Sequence, residues 1–128
     1  MPAGFIIIDN DAVNNLLCSL TIKDVAAEAE IETFQFPVKA FEYITTNISN
    51  REKSTVLLLD INMPMWSGWD FLDNFEKLND KIKKQIKIYI LSSSIDANDK
   101  HRARENKNVV DYIEKPLSSK NVLSILER

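Results

Sequence analysis

Several residue types on which small domains often depend are scarce in this sequence. Its 128 residues include one cysteine, Cys18, one histidine, His101, two glycines and four prolines. A single cysteine excludes an internal disulfide and suits a reducing compartment. No low-complexity segment, internal repeat or linker interrupts the chain. A chain of this length buries enough surface to fold without a disulfide or a structural metal, so we expect residues 1–128 to form a single domain.

Long hydrophobic runs are also absent. The first apolar run, residues 5–8, is too short for a secretory leader and follows no basic segment, and no stretch approaches the length of a membrane span. The net charge of −3 argues against nonspecific attraction to nucleic acid. With 45% apolar and 27% charged residues, the composition is that of an ordinary soluble protein. We therefore expect a cytoplasmic protein with no membrane partner and no direct nucleic-acid partner.

Short apolar runs that end in polar residues predict the strands of a sheet. Continuous apolar runs of four, rich in β-branched residues, are typical of strands covered on both faces. Three such runs precede Asp9, Asp60 and Ser92, and two weaker ones complete the set: residues 5–8, 56–59, 88–91, 32–36 and 109–113.

Apolar residues at helical spacing occupy the intervals between these runs. Pro37 suits the first turn of the second helix, and the polar residues 47–54 predict a loop after it. The predicted helices cover residues 12–29, 38–49, 68–78, 96–106 and a final segment capped by Ser118 or Ser119. The order is βα repeated five times, which right-handed crossovers build into a doubly wound α/β fold with a parallel sheet.

Polar residues follow four of the five predicted strands. In an open α/β sheet, functional groups gather outside the carboxyl ends of the strands. Carboxylates, hydroxyls and an ammonium group therefore converge on one edge, from Asp9-Asn10-Asp11, Asp60 and Asn62, Ser92-Ser93-Ser94, and Lys115-Pro116. An aspartate can attack phosphorus to form an acyl phosphate, and a divalent cation, a lysine and a small hydroxyl would stabilise the transferred group. The pattern predicts phosphoryl transfer to a carboxylate.

The sequence resembles the response-regulator receiver domain over about residues 4 to 127. Residues 57–72, Leu-Leu-Leu-Asp-Ile-Asn-Met-Pro-Met-Trp-Ser-Gly-Trp-Asp-Phe-Leu, are similar to the phosphoacceptor stretch of that family. Residues 90–94 resemble its hydroxyl-bearing strand end, and residues 112–116 resemble its aromatic and Lys-Pro pair. The resemblance implies a flavodoxin-like (βα)5 fold with strand order 2-1-3-4-5.

The resemblance also implies a role for each residue at this edge. Asp60 would be the phosphoacceptor, and Mg²⁺ would be bound by Asp9, Asn10, Asp60 and the backbone carbonyl of Asn62. Ser92 and Lys115 would contact the phosphoryl group, Tyr112 would be the aromatic that changes rotamer on activation, and the peptide bond before Pro116 would be cis. The protein would not be a classical enzyme, although it would catalyse its own phosphorylation.

One position departs from the family pattern. The family usually has two adjacent acids after the first strand, and the second is usually the direct metal ligand, where this chain has Asn10. An amide oxygen can coordinate Mg²⁺ but brings no charge, so we expect weaker metal binding. Asp11 either leans in to compensate or caps the first helix, and capping is the commoner use of an aspartate at such a position.

The expected partners are a sensor histidine kinase or phosphotransfer protein and a downstream protein bound by the face of the fourth helix, fifth strand and fifth helix. The sequence leaves open whether the domain forms a homodimer. Two alternatives also stay open. The first is a receiver-like interaction module that does not depend on phosphorylation, which Asn10 would favour. The second is a phosphatase resembling the haloacid-dehalogenase type, with Asp9 as nucleophile and Asp11 as acid–base.

Overall fold

A five-stranded parallel sheet forms the centre of the molecule. The computed structural model describes residues 4–48 and 54–128, and the sheet order is β2-β1-β3-β4-β5, as predicted. All four strand pairs are parallel. The strands are β1 Gly4–Ile8, β2 Glu30–Phe34, β3 Thr55–Leu59, β4 Ile86–Ser92 and β5 Val109–Glu114.

In the described part of the chain, six helices cover the two faces of the sheet. Five of them begin at a side-chain cap that accepts backbone N–H groups, and two of these caps, Ser67 and Ser118, form complete capping boxes. The helices are α1 Ala12–Val25, α2 Pro37–Asn47, α3 Gly68–Glu76, α4 Asp80–Gln85, α5 Ala97–Glu105 and α6 Ser119–Glu127.

Some predicted boundaries were wrong. Helix α1 ends at Val25, not at residue 29, because Ala26 leaves the helical conformation, and β2 correspondingly begins at Glu30, which pairs with Gly4. The short helix α4 was not predicted, so the fourth helix of the repeating pattern is α5. Helix α3 ends at Glu76, two residues earlier than predicted. Residues 49–53, which include the end of the second predicted helix and most of the predicted loop, lie outside the described residues.

The hydrophobic core has one layer on each face of the sheet. All five residues of β1 and all five of β3 are buried. Their side chains point alternately to the two faces of the sheet, and helices cover both faces. Phe5, Ile7, Val56 and Leu58 pack with α1 and α6, whereas Ile6, Ile8, Leu57 and Leu59 pack with α2, α3, α4 and α5. Among the described residues, no helix combines the length and the apolar character that crossing a membrane requires.

Helix α1 buries a different face from the one that the spacing of its apolar residues predicts. Its buried residues are Asn15, Cys18 and Ile22. Four large apolar residues that kept helical spacing in the sequence are instead more than half exposed: Val13, Leu16, Leu17 and Leu20. The helix therefore presents an apolar surface to solvent, next to the carboxyl end of the sheet.

Candidate functional site

The carboxyl ends of the strands bring four polar side chains to one edge of the sheet. Asp9 follows β1, Asp60 follows β3, Ser92 ends β4 and Lys115 follows β5. Backbone hydrogen bonds continue the sheet into this edge, since Asp60 N donates to Ile8 O at 3.0 Å and Lys115 N donates to Ser92 O at 2.9 Å. Asp9, Asp60 and Ser92 are only 2%, 6% and 0% exposed. The sheet thus holds these groups together on a rigid frame.

Lys115 joins the two carboxylates. Its Nζ lies 2.6 Å from Asp9 Oδ2 and 3.6 Å from Asp60 Oδ1. Burial alone would lower the pKa of Lys115, but the hydrogen bond to Asp9 and the negative charges of Asp60 and Asp9 raise it above the ordinary value. The ammonium group is therefore charged at neutral pH and lies between two buried acids.

Asp60 lies in an environment that opposes its charge. Burial and the negative charge of Asp9 raise the pKa of its carboxyl group. The positive charge of Lys115 and the backbone N–H groups of Ile61 and Asn62 oppose this shift, and Ile61 N donates to Asp60 Oδ1 at 2.9 Å. Two carboxylates and one ammonium give the cluster a formal charge of −1, so an added cation would be stabilised here.

Asp9 accepts hydrogen bonds at both carboxylate oxygens. Asp11 N donates to Oδ1 at 2.8 Å, whereas Asn14 Nδ2 donates to Oδ2 at 2.8 Å, beside Lys115. The main chain of Asp9 is also held, because the buried Asn15 donates from Nδ2 to Asp9 O at 3.0 Å. The Asp9 carboxylate consequently has a fixed orientation.

Gly68 allows α3 to approach the residues that follow β3 closely. Its N–H donates to Ile61 O at 2.8 Å. A Cβ at this position would lie 2.5 Å from Asp60 O and 2.9 Å from Ile61 Cα. The glycine that opens α3 is therefore required by contact with the backbone of Asp60.

Comparison with known proteins identifies the family of the chain. The family model of the response regulator receiver domain matches residues 5–127. The chain belongs to this family. A comparison with curated proteins finds no match.

Solved structures show the same fold. A two-component response regulator from Cytophaga hutchinsonii is 26% identical with a TM-score of 0.88, over 97% of this chain and 93% of that one. A response regulator receiver protein from Dyadobacter fermentans is 22% identical with a TM-score of 0.88, over 98% and 95%. A chemotaxis protein from Vibrio cholerae is 20% identical with a TM-score of 0.78, over 100% and 98%.

Three polar residues of this receiver domain lie at the edge of the site without joining the cluster. Asn10 and Asn62 are exposed. Asp11 is turned toward α1, where Oδ1 accepts from Val13 N at 2.9 Å and from Asn14 N at 3.3 Å. Capping is thus the role that the structure gives Asp11, and its carboxylate does not compensate for Asn10. Among residues 4–48 and 54–128, no group of three or more His, Cys, Asp and Glu side chains converges to hold a metal.

Tyr112 connects β5 to the loop after Ser92. Its hydroxyl donates to Ser94 O at 2.7 Å, while Ser94 N donates to Ser92 Oγ at 3.1 Å. Ser94 Oγ in turn donates to Asp99 Oδ2 at 2.7 Å, on the first turn of α5. The peptide bond between Lys115 and Pro116 is cis, the geometry that the family resemblance implies. A continuous chain of contacts therefore leads from Ser92 to α5 and β5.

Three residues of the site were not found by sequence reasoning. Asn14 and Asn15 lie within a helix, and the spacing of apolar residues drew attention to the opposite face of α1. Their signal was the polarity of two adjacent asparagines near the start of a helix, where a side chain can reach back to the preceding loop. Asp99, three residues after the cap at Asp96, gave no signal that distinguished it from an ordinary acid in a first helical turn.

Proposed function

We propose that this receiver domain accepts a phosphoryl group on Asp60 and signals through a change in its surface. The observation that carries this proposal is the Asp9–Lys115–Asp60 cluster, in which one ammonium lies between two buried carboxylates. Ser92, also buried, ends β4, the strand between those that Asp60 and Lys115 follow. Membership in the receiver family supports the same role, since receivers belong to two-component signalling.

In the proposed reaction a carboxylate oxygen of Asp60 attacks phosphorus. As this bond forms, the bond from phosphorus to an imidazole nitrogen of a phosphohistidine breaks, and its electron pair stays on that nitrogen. Lys115 and the Ser92 hydroxyl would stabilise the negative charge spread over the phosphoryl oxygens. The protein contributes positioning to its own phosphorylation, and we propose that it is not a classical enzyme.

The residues present fit a bound Mg²⁺ ion. Oxygen ligands suit this cation, and Asp9 and Asp60 supply two carboxylates whose charge Lys115 only half neutralises. The Asn62 carbonyl and the Asn10 amide would complete the protein ligands. When bound, the cation supplies positive charge that offsets the charge of the phosphoryl oxygens. Because Asn10 is neutral and Asp11 faces α1, we expect the affinity to be modest.

The signal would travel from Ser92 to the surface made by α5, β5 and α6. Movement of Ser92 toward the phosphoryl group would shift the Ser94 carbonyl that Tyr112 binds, and Tyr112 would follow into the vacated space. This surface includes a cleft of about 350 Å³ between α5 and β5, lined in part by Lys100, Arg104 and Glu114. We propose it as the contact for a downstream protein.

A protein donor would approach at the edge that carries Asp60. Large apolar side chains are exposed in the loops after β2, β3 and β4, at Phe36, Met65 and Ile95. Met65 is 94% exposed and has a positive φ of 70°, a conformation that costs a non-glycine residue about 1 kcal/mol or more.

Exposed apolar side chains on the loops at the Asp60 edge suit contact with a sensor histidine kinase or a phosphotransfer protein. We propose that this exchange takes place in the cytoplasm.

Mass spectrometry after treatment with acetyl phosphate and Mg²⁺ tests the assignment of Asp60. The intact protein should gain one phosphoryl group, and the Asp60→Asn variant should gain none. Asp11→Asn is the matched control, since it removes a carboxylate at the same edge and keeps a good helix cap. Full labelling of Asp60→Asn would refute the site, whereas phosphate release that Asp9→Asn alone abolishes would favour the phosphatase alternative, in which Asp9 is the nucleophile.

One observation favours a second function. Asn10 removes a negative charge from the cation site, as expected for a receiver fold that binds partners without phosphorylation. The indoles of Trp66 and Trp69 follow Asp60 closely in the chain, so we expect their fluorescence to change when a cation binds. If millimolar Mg²⁺ leaves the fluorescence unchanged and acetyl phosphate does not label the protein, the interaction module replaces the phosphoacceptor as the assigned function.

A further inference from the structure

We propose that Asn14 is a positioning residue that holds the Asp9 carboxylate in the orientation needed for cation binding. This inference rests on the proposed function, because it concerns the same site. It gives a role to a helix residue that sequence reasoning did not single out.

The contacts of Asp9 identify Asn14 as one of three donors. Asn14 Nδ2 and Lys115 Nζ both donate to Oδ2, at 2.8 and 2.6 Å, and Asp11 N donates to Oδ1 at 2.8 Å. The plane of a carboxylate is fixed only when both oxygens have partners. Of the three donors, Asn14 and Lys115 are the side chains, and so they are the ones that substitution can remove.

Lys115 is the donor that must move in the proposed reaction. Its ammonium already lies 3.6 Å from Asp60 Oδ1, and pairing with a phosphoryl group on Asp60 would draw it away from Asp9. Asn14 has a short side chain on a helix, where it also contacts Cys18, and within residues 4–48 and 54–128 it makes no hydrogen bond to Asp60. A cation bound at these carboxylates would also repel the Lys115 ammonium, whereas Asn14 is neutral and would be the side chain that keeps Oδ2 in place.

Helix α1 gives Asn14 a rigid support. The next residue, Asn15, is 4% exposed and donates to Asp9 O at 3.0 Å and to Phe34 O at 3.4 Å. Cys18, one turn further along, is 2% exposed in the core layer under α1. Adjacent asparagines therefore hold the side chain and the main chain of the same aspartate.

The chemistry of an amide suits this task. A carboxylate that binds a cation depends on surrounding hydrogen bonds to orient it, and loss of such a partner typically weakens metal binding about 10-fold to 100-fold. An amide donor orients Asp9 without cancelling the charge that attracts the cation, as a second lysine would. Because Asn10 brings no charge, Asp9 is the acid that the β1 loop directs toward the cation, and its orientation matters more.

Titration of the full chain with MgCl₂, followed by tryptophan fluorescence and by calorimetry, tests the role of Asn14. The Asn14→Leu variant keeps the side-chain size and removes the donor, and we expect its Kd for Mg²⁺ to rise about 10-fold. The control is Asn74→Leu, which removes an amide of similar burial from α3, where Asn74 Nδ2 donates to Asp70 O at 2.9 Å. The control should bind Mg²⁺ as the unmodified protein does.

Thermal unfolding without Mg²⁺ separates positioning from a purely structural role. If Asn14 positions Asp9, the Kd of Asn14→Leu for Mg²⁺ should rise while the two leucine variants keep similar Tm values. If Asn14→Leu unfolds, Asn14→Ala provides the same test, since alanine favours a helix. Equal or tighter Mg²⁺ binding by the folded variant would overturn the inference alone. Absence of any Mg²⁺ response in the unmodified protein would instead contradict the cation site itself.

Discussion

At the scale of single residues, the site depends on close approach as much as on charge. Gly68, the first residue of α3, lies directly against the main chain of Asp60. A Cβ at this position would lie 2.5 Å from Asp60 O, so the contact requires a glycine. The same contact carries a hydrogen bond from Gly68 N to Ile61 O at 2.8 Å. The position of the Asp60 carboxylate is thus tied to the start of a helix.

We expect Gly68→Ala to destabilise the protein and to slow labelling of Asp60. Helix propensity alone predicts the opposite sign, since alanine is favoured over glycine by about 1 kcal/mol in a helix. Overlap with the Asp60 backbone should outweigh this gain and lower the free energy of unfolding by about 1–3 kcal/mol. Urea unfolding gives the stability, and acetyl phosphate labelling gives the rate.

Ser119→Ala provides the matched control for this substitution. Ser119 is exposed and begins α6 after a capping box at Ser118, just as Gly68 begins α3 after a capping box at Ser67. The control should leave stability almost unchanged. A Gly68→Ala protein as stable as the unmodified one would show that the backbone yields without cost.

The principal side chains of the site could be predicted because each directly follows or ends a strand. Asp9, Asp60, Ser92 and Lys115 occupy positions that any open parallel sheet brings to one edge. Asn14 could not be predicted in this way, since its contact with Asp9 depends on the rotation of α1 about its axis. The helical spacing of Val13, Leu16, Leu17, Leu20 and Val25 predicted one rotation of α1. The buried residues Asn15, Cys18 and Ile22 show another.

At the scale of elements, the repeating βα order was predictable and the short helix α4 was not. Six residues, mostly charged, carry no amphipathic pattern, and Ile82 is the buried residue among them. Local hydrogen bonds define this helix instead, through the cap at Asn79, which accepts from Ile82 N at 2.9 Å. Signals of this kind are too short to separate a helical turn from a loop in a sequence.

A charged cluster at the end of α3 joins three elements. Glu76, the last residue of α3, lies 2.9 Å from Lys107 Nζ and 3.4 Å from Lys83 Nζ, and it also accepts from Asn108. Hydrogen bonds from Lys107 and Asn108 lower the pKa of Glu76 to about 2. The cluster links α3 to α4 and to the turn before β5.

We expect Glu76→Gln to lower the Tm by a few degrees at pH 7 and to have less effect in acid. Because the pKa of Glu76 is lower in the folded protein, its contribution is complete above the ordinary value of 4.5 and is lost as pH falls toward about 2. Thermal unfolding between pH 7 and pH 3 measures this change. The effect should also shrink at high salt, since exposed ion pairs are screened.

Glu105→Gln is the control for the Glu76 substitution. Glu105 ends α5 in an exposed position, and His101 Nε2 lies 3.7 Å from it. Its replacement should leave the Tm nearly unchanged across the same pH range. A Tm difference for Glu76→Gln that is constant with pH would mean that the replacement of an acceptor oxygen by a donor NH₂ group, and not the lost charge, is responsible.

At the scale of the whole molecule, the site and the proposed output surface are connected through Tyr112. Its hydroxyl donates to Ser94 O in the loop after β4, and its ring lies beneath Lys100 of α5, whose ammonium pairs with Glu114 of β5. The ring also packs against the core layer that includes Leu59 and Ile90. A shift of Ser92 would therefore reach α5 and β5 through one side chain.

We expect Tyr112→Phe to separate phosphorylation from its effect on the surface. The substitution removes one half-buried hydrogen bond, which costs about 1 kcal/mol of stability, and leaves Asp9, Asp60 and Lys115 in place. Acetyl phosphate should therefore still label Asp60 at a similar rate. Hydrogen exchange should show that labelling changes protection of α5 and β5 in the unmodified protein, and this change should be lost in Tyr112→Phe.

The control for this prediction is Tyr43→Phe, on α2, where the ring contacts Phe34 at a centroid distance of 5.4 Å. Phe34 belongs to β2, at the opposite edge of the sheet from β5. The control variant should keep both the labelling and the exchange response. If Tyr112→Phe transmits the response as fully as the control does, the connection from Ser92 must pass through the Ser94–Asp99 hydrogen bond instead. That bond reaches α5 directly and does not involve the ring, so Asp99→Asn would then be the variant in which labelling persists and the response of α5 disappears.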